Sequence, residues 1–266
     1  MKIDERYTGL ELLQARKTVV CSDGEVSKQT ELIIVEHLID VYVDEILTMK
    51  LTCTPQYLSE LVLGRLLTEG MIVRPEDVES IYICEHGKMA WVLLKNEMRS
   101  SPLKEYAETV PTCCTGNRIL NDYFMTDQAP EPVKPIAWTP EEMLQLKEAF
   151  QNKTPLYDAT HSAHSAFLMT DGKLVFRCED IGRHNALDKA IGYAMRTGYD
   201  LHRSIVYTSG RVPTDMAMKA IRARIPILVC QKPPTREAVM LAEEYGLTLL
   251  ELSKDGRLKI HVKQFI

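Results

Sequence analysis

The 266-residue sequence contains no apolar run approaching the ~20 residues that a helix needs to cross a bilayer, so no membrane span is expected. A leader of secretory type is not expected either. The opening MKIDERYTGLELLQARK carries charges where a signal peptide has its apolar centre, and a cytoplasmic protein is expected. Positive charge is not in excess: 32 Lys and Arg against 37 Asp and Glu leave a net charge of −5, which gives no reason to expect nucleic acid as a partner. No internal repeat, low-complexity tract, Walker A loop or Rossmann glycine fingerprint is present. The seven cysteines are odd in number and follow no regular spacing, which suits reduced thiols rather than a disulfide framework.

What is present is a globular composition, 45% hydrophobic and 26% charged, enough for one large or two modest domains. Residues 1–125 read as a β-rich portion. LIDVYVD (38–44) and ILTMKLT (46–52) alternate around Asp44-Glu45 as a hairpin, and SIYICE (80–85) and MAWVLL (89–94) form another around His86-Gly87-Lys88. Between the two hairpins, Thr54 and Pro55 predict a helix N-cap and first position, and Gly70 a helix end. The proline-rich stretch 126–140 is a linker, after which Thr139 and Glu142 form a capping box for a helix to about Phe150. Residues 138–266 then alternate. Strands flank Asp171-Gly172, followed by a helix (184–197), a strand (204–208), a helix (213–223), a strand (226–230), a helix (235–245), a strand (247–252) and an edge strand in GRLKIHV. This alternation predicts a largely parallel, helix-covered sheet and an α/β protein.

Three groups of residues point to chemistry. Cys113 and Cys114 lie in VPTCCTGNR, a polar loop in which a thiol is accessible, whereas Cys21, Cys53, Cys84, Cys178 and Cys230 lie in apolar runs and read as core. The strand-to-helix junction RCEDIGRHNALDK crowds Glu179, Asp180, Arg183, His184, Asn185 and Asp188 where an α/β protein exposes backbone N–H groups and a helix dipole. Ser209-Gly210-Arg211 and the turn Leu252-Ser253-Lys254-Asp255-Gly256-Arg257 have anion-binding character. His161 and His164 raise the question of zinc. However, no glutamate follows a histidine as in His-x-Glu and no thiolates stand in Cys-x-x-Cys spacing, so zinc is not expected.

EDIGRHNALDK, together with LTCTPQYLSELVLGRLLTEGMI (51–72), YTSGRVPTDMAMKA (207–220) and LTLLELSKDGRLKIHV (247–262), resembles the FdhD family of formate dehydrogenase accessory sulfurtransferases. The resemblance implies a cytidine-deaminase-like C-terminal domain fused to a β-rich α+β N-terminal portion, and a homodimer. It implies a persulfide carrier that takes sulfur from a cysteine desulfurase and delivers it to the molybdenum–bis(pyranopterin guanine dinucleotide) client cofactor of apo-formate dehydrogenase. Cys113 or Cys114 would carry the sulfur, and Glu179, Asp180, Arg183, His184, Asn185, Ser209, Arg211 and residues 252–257 would bind the cofactor. A carboxylate of Glu179, Asp180 or Asp188 would pair with a guanine. The family commonly carries Cys-x-x-Cys, whereas here the cysteines are adjacent and Gly116 stands at the second position. That departure keeps a non-catalytic cofactor carrier open beside the sulfurtransferase. A zinc- or thiol-dependent nucleotide hydrolase is a further alternative.

Overall fold

The computed structural model describes residues 1–95, 130–152, 154–253 and 255–263, and the backbone of a short strand at Glu108–Val110. In chain order the first half supplies β1 (Lys2–Glu5), β2 (Leu13–Ser22), β3 (Glu25–Ile34), β4 (His37–Val43), β5 (Ile46–Cys53), α1 (Leu58–Thr68), β6 (Val78–Ile83), β7 (Met89–Leu94) and β8 (Glu108–Val110). The second half supplies α2 (Pro140–Asn152), α3 (Pro155–Thr160), β9 (His164–Thr170), β10 (Lys173–Asp180), α4 (Arg183–Thr197), β11 (Ser204–Thr208), α5 (Thr214–Arg222), β12 (Ile227–Cys230), α6 (Arg236–Tyr245), β13 (Thr248–Leu252) and β14 (Leu258–Val262).

Period-two burial builds the first sheet, ordered β1-β6-β7-β4-β5-β8. Ile39, Val41 and Val43 of β4 and Ala90, Val92 and Leu94 of β7 point inward, while Leu38, Trp91 and Leu93 stay partly exposed on the outer face. Both predicted hairpins are present, β4 with β5 and β6 with β7. Strands β2 and β3 pair only with each other and form a mostly exposed arm that the sequence reading left unassigned. Its apolar residues, among them Val19, Val26, Leu32 and Ile33, are exposed, so no buried stripe marks it.

The second sheet runs β10-β9-β11-β12-β13-β14. Only the pairings of β11 with β12 and of β12 with β13 are parallel, joined through α5 and α6. The outer strands are antiparallel, so the sheet is mixed rather than largely parallel. The reason is local. Asp171 and Gly172 both take positive φ, 50° and 72°, and turn β9 directly back into β10.

Helix α1 does not start where Thr54 and Pro55 placed it. It begins at Leu58 after Tyr57, which takes the left-handed conformation, and Thr54 is used elsewhere. Its other end agrees with expectation, since Gly70 has φ 74° beyond the last turn. The capping box before α2 is also present. Thr139 N donates to Glu142 Oε2 at 2.7 Å, and Glu142 N donates to Thr139 Oγ1 at 3.3 Å.

All of α1 is buried, Glu60 and Arg65 included, because the helix packs against α4 on one side and the first sheet on the other. The two helices approach backbone to backbone. A Cβ at Gly64 would overlap the carbonyl of Asp188, and one at Gly192 would overlap the carbonyl of Glu60. One continuous apolar core therefore runs from Ile39 and Val92 through α1 and α4 to Leu168 and Val206. A second core lies on the far side of the second sheet, where Met143 and Leu146 of α2 cover Phe167, Tyr207 and Leu250.

Candidate functional site

Strand β10 ends in Glu179-Asp180, and the chain turns through Gly182 into α4. Asp180 is fully buried and accepts hydrogen bonds from Thr54 N (3.0 Å), Thr54 Oγ1 (3.1 Å), Gly182 N (2.9 Å), Asn185 Nδ2 (2.9 Å) and Lys189 Nζ (2.6 Å). Lys189 is itself fully buried and also donates to the Thr54 carbonyl. Burial presses its pKa down, but Asp180 and the neighbouring thiols of Cys53 and Cys178 together outweigh burial, and the net direction is up, so the ammonium persists. Asn185 Nδ2 also donates to the Thr52 carbonyl at 2.7 Å. The junction thus clamps the end of β5 onto α4.

A second buried charge cluster lies further along α4. Asp188 accepts from Lys219 Nζ at 2.7 Å and from Thr68 Oγ1 at 2.9 Å, and lies 3.4 Å from Arg65. Glu179 is likewise occupied, accepting from Leu156 N (3.0 Å) and Tyr157 N (2.8 Å) at the start of α3, while burial raises its pKa. The three carboxylates that the sequence reading offered to a guanine are all buried and bonded to protein donors. Asn185 is internal for the same reason.

The remaining positions gather along one edge. The carboxyl ends of β10, β11, β12 and β13 and the start of β9 lie side by side there, and the loops after β10, β11 and β12 lead into α4, α5 and α6. The crevice outside strand carboxyl ends is where open α/β sheets hold ligands. His184 Nε2 lies 2.7 Å from Asp215 Oδ2, and burial lowers the His184 pKa, so the ring is neutral near pH 7. His164 is held below its ordinary value by burial and by His184, and its Nδ1 lies 3.4 Å from Ser209 Oγ, which also accepts from Ser165 N at 2.9 Å.

Arg183 lies across Gly210, where an added Cβ would come within 2.8 Å of Arg183 Cδ, so the two predicted motifs touch. Arg211 is exposed and makes no ion pair among the described residues. In the turn after β13, Ser253 N donates to the Arg257 carbonyl at 3.0 Å, Gly256 N donates to the Ser253 carbonyl at 2.9 Å, and Arg257 pairs with Asp255 at 2.7 Å. Ser253 donates to Asp255 and holds its carboxyl down, to about 2. Leu252 is buried, and Lys254 lies outside the described residues.

A cavity of about 200 Å³ opens beside this turn, lined by Lys147, Phe150, Tyr157, Tyr207, Gln231 and Ser253 among others. Sequence reasoning missed the first five of these. They come from α2, α3 and two strand ends, and only Tyr207, at the head of YTSGRVPTDMAMKA, lies in a quoted motif. The one available signal was that Gln231 immediately follows a strand.

Cys113 and Cys114 lie outside the described residues. Cys53, Cys178 and Cys230 are buried, and burial pushes each thiol up to about 12. Cys84 is half-buried, whereas Cys21, expected in the core, is exposed on the arm. Among the described residues no group of three or more His, Cys, Asp or Glu is arranged to hold a metal, and no helix is long and apolar enough to cross a membrane.

The chain is similar to curated sulfur carrier proteins FdhD. It is 30% identical to that of Halalkalibacterium halodurans over 249 residues, covering 92% of each chain. It is 30% identical to that of Bacillus subtilis over 241 residues, covering 90% of this chain and 91% of the relative. Its fold matches the crystal structure of a candidate formate dehydrogenase accessory protein from Desulfotalea psychrophila with a TM-score of 0.78 and 25% identity, over 94% of this chain and 97% of the other. The family pattern itself is matched over residues 34–265, which takes in the first sheet apart from β1, the whole second sheet and all of the edge just described; the chain belongs to the FdhD/NarQ family.

Proposed function

We propose that this protein is a persulfide carrier for formate dehydrogenase maturation, taking sulfur from a cysteine desulfurase and delivering it to a molybdenum–bis(pyranopterin guanine dinucleotide) client. The observation that carries the reading is the similarity to curated sulfur carriers, which extends over nine-tenths of the chain. In the loading step, a thiolate of Cys113 or Cys114 attacks the outer sulfur of the donor's Cys–S–SH. The donor's S–S bond breaks, the donor leaves as a thiolate, and the carrier holds Cys–S–SH. No other oxidant or reductant is required.

The carboxyl edge of the second sheet suits a large polyanionic client. Arg183 and Arg211 offer guanidinium groups for phosphates, and Ser209, neutral His184 and the 252–257 turn offer polar contacts. Glu179, Asp180 and Asn185 support this wall from behind. The partners of this reading are the desulfurase and apo-formate dehydrogenase, with the carrier acting as a homodimer.

The adjacent cysteines favour one rival, a carrier that holds the cofactor without transferring sulfur. Replacing both Cys113 and Cys114 by alanine separates the two. The sulfurtransferase reading expects loss of formate dehydrogenase activity in cells, with the carrier folded and present at normal level. Normal maturation by the double variant would leave the passive carrier as the better reading.

A further inference from the structure

The β2–β3 arm is a hairpin that leaves a largely apolar face open. Asp23 and Gly24 both take positive φ, 51° and 81°, and reverse the chain in a tight turn. The pairing runs from Leu13 with Ile34 to Ser22 with Glu25, and cross-strand partners share a face. Ala15 with Leu32 and Cys21 with Val26 therefore lie on the same side as Val19, interrupted only by Lys17, Lys28 and Thr30. Arg16, Ser27, Gln29 and Glu31 lie on the other side. Val19, Val26 and Leu32 are 59%, 70% and 46% exposed. The two strands pair only with each other, and the chief contact of the arm with the body is at α3. A two-stranded ribbon standing alone in water is marginally stable, because it buries too little apolar surface. An apolar face kept along such a ribbon points to a surface that covers it.

The same chain carries a second open apolar surface. On the outer face of the first sheet, Leu38, Met89, Trp91 and Leu93 are each 36–47% exposed. Trp91 stands at the centre, 5.8 Å from Tyr42 and 5.5 Å from Tyr82, ring centre to ring centre, so the patch spans β4, β7 and β6. The open face of a sheet ordinarily presents polar side chains to water. A contiguous apolar patch in that place marks an interaction surface.

We propose that the arm clasps a second copy of this chain, its apolar face lying on the outer face of that copy's first sheet while the second copy's arm returns the contact. A two-fold axis lets one chain offer both surfaces and have both covered. The area suffices. One face of a ribbon with ten residues a side is about 34 Å long and about 10 Å wide. Two reciprocal contacts of that footprint, counted on both partners, bury on the order of 1,400 Å², inside the roughly 1,200–2,000 Å² of stable interfaces. The family pattern begins at residue 34, the last of the arm, so the clasp is made by chain outside that pattern. The inference rests on the proposed function for the homodimer alone, and deepens it by naming the surface.

The test is sedimentation equilibrium of the full chain, with Trp91 emission as a second readout. Wild type sediments at twice the chain mass of 30.3 kDa. Val19→Glu with Leu32→Glu on the arm, and Leu93→Glu on the receiving face, each raise the dimer dissociation constant about a hundredfold, since every substitution enters the interface twice. Ser27→Glu with Gln29→Glu, on the arm's other face, leaves it unchanged. Circular dichroism confirms that each variant is folded. In a Trp138→Phe background Trp91 is the only tryptophan. Its emission is shielded from acrylamide above the dissociation constant, and the shielding is lost on dilution below it, a readout that needs no interface variant. A dimer that survives the arm variant, or that survives Leu93→Glu, overturns the clasp and leaves the homodimer standing; so does Trp91 emission quenched equally in dimer and monomer. A wild type of single mass overturns both. None of these outcomes touches persulfide loading, which is read on the thiols, so failure of the clasp and failure of the carrier reading are distinguishable.

Discussion

Asp180 shows how a buried charge can hold two parts of a chain together. Its oxygens collect donors from Thr54, Gly182, Asn185 and Lys189, so the end of the first sheet and the start of α4 share one anion. A buried pair of this kind contributes little net stability relative to an apolar pair, but removing one partner strands a charge. Lys189→Ala should therefore destabilise the protein by about 3–5 kcal/mol, and replacing Asp180 and Lys189 together by asparagine and methionine should be less damaging. Denaturant titration of both variants checks this; additive losses would contradict the coupling.

The histidines give a pH dependence. Burial holds the folded pKa of His164 and His184 below the ordinary 6.5, so the unfolded chain binds more protons between the folded and unfolded values. Their contribution to stability is complete above 6.5 and is lost as pH falls through that value toward the folded pKa. The melting temperature should drop between about pH 7.5 and about pH 5.5, and the drop should be smaller in His164→Gln. At this scale the sequence was partly legible. The crowding of polar residues after β10 correctly marked an unusual junction, but it gave no sign that Asp180 and Asn185 face inward. Their partners Thr52 and Thr54 lie more than a hundred residues away, and no local pattern encodes that pairing.

At the scale of elements, the crossing of α1 and α4 depends on the absence of two side chains. Gly64 and Gly192 each sit against the other helix's backbone, where no rotamer change can relieve a methyl group. Gly192→Ala should destabilise by about 1–3 kcal/mol or more, although alanine is the better helix former in isolation. A thermal melt showing stabilisation would mean that the helices can separate freely.

Elements whose signals are local were readable. The Asp171-Gly172 hairpin, the Thr139–Glu142 capping box and the strand at 204–208 follow from chemistry within a few residues. Thr54-Pro55 misled because a threonine before a proline looks the same whether it caps a helix or, as here, bonds Asp180 and Lys189. The β2–β3 arm escaped because period two is visible only when one face is buried.

At the scale of the whole molecule, two sheets share one core through α1 and α4, and the carboxyl edge of the second sheet gathers cations, neutral imidazoles and the aromatic cavity. This gathering could not be read from single motifs, because Lys147, Tyr207 and Gln231 meet only through the order of strands. Three of the cysteines, Cys53, Cys178 and Cys230, are sealed within the fold with thiols at about 12, which leaves them poor nucleophiles. Exposed Cys21 is the competitor to remove before any thiol experiment.

The most direct test of the account is intact-mass analysis of the Cys21→Ser protein after incubation with a cysteine desulfurase and cysteine. The account predicts a mass gain of one sulfur atom, labile to reductant, localised to the peptide containing Cys113 and Cys114, and absent when both are alanine. A chain that gains no sulfur, or gains it equally without those two cysteines, would contradict it.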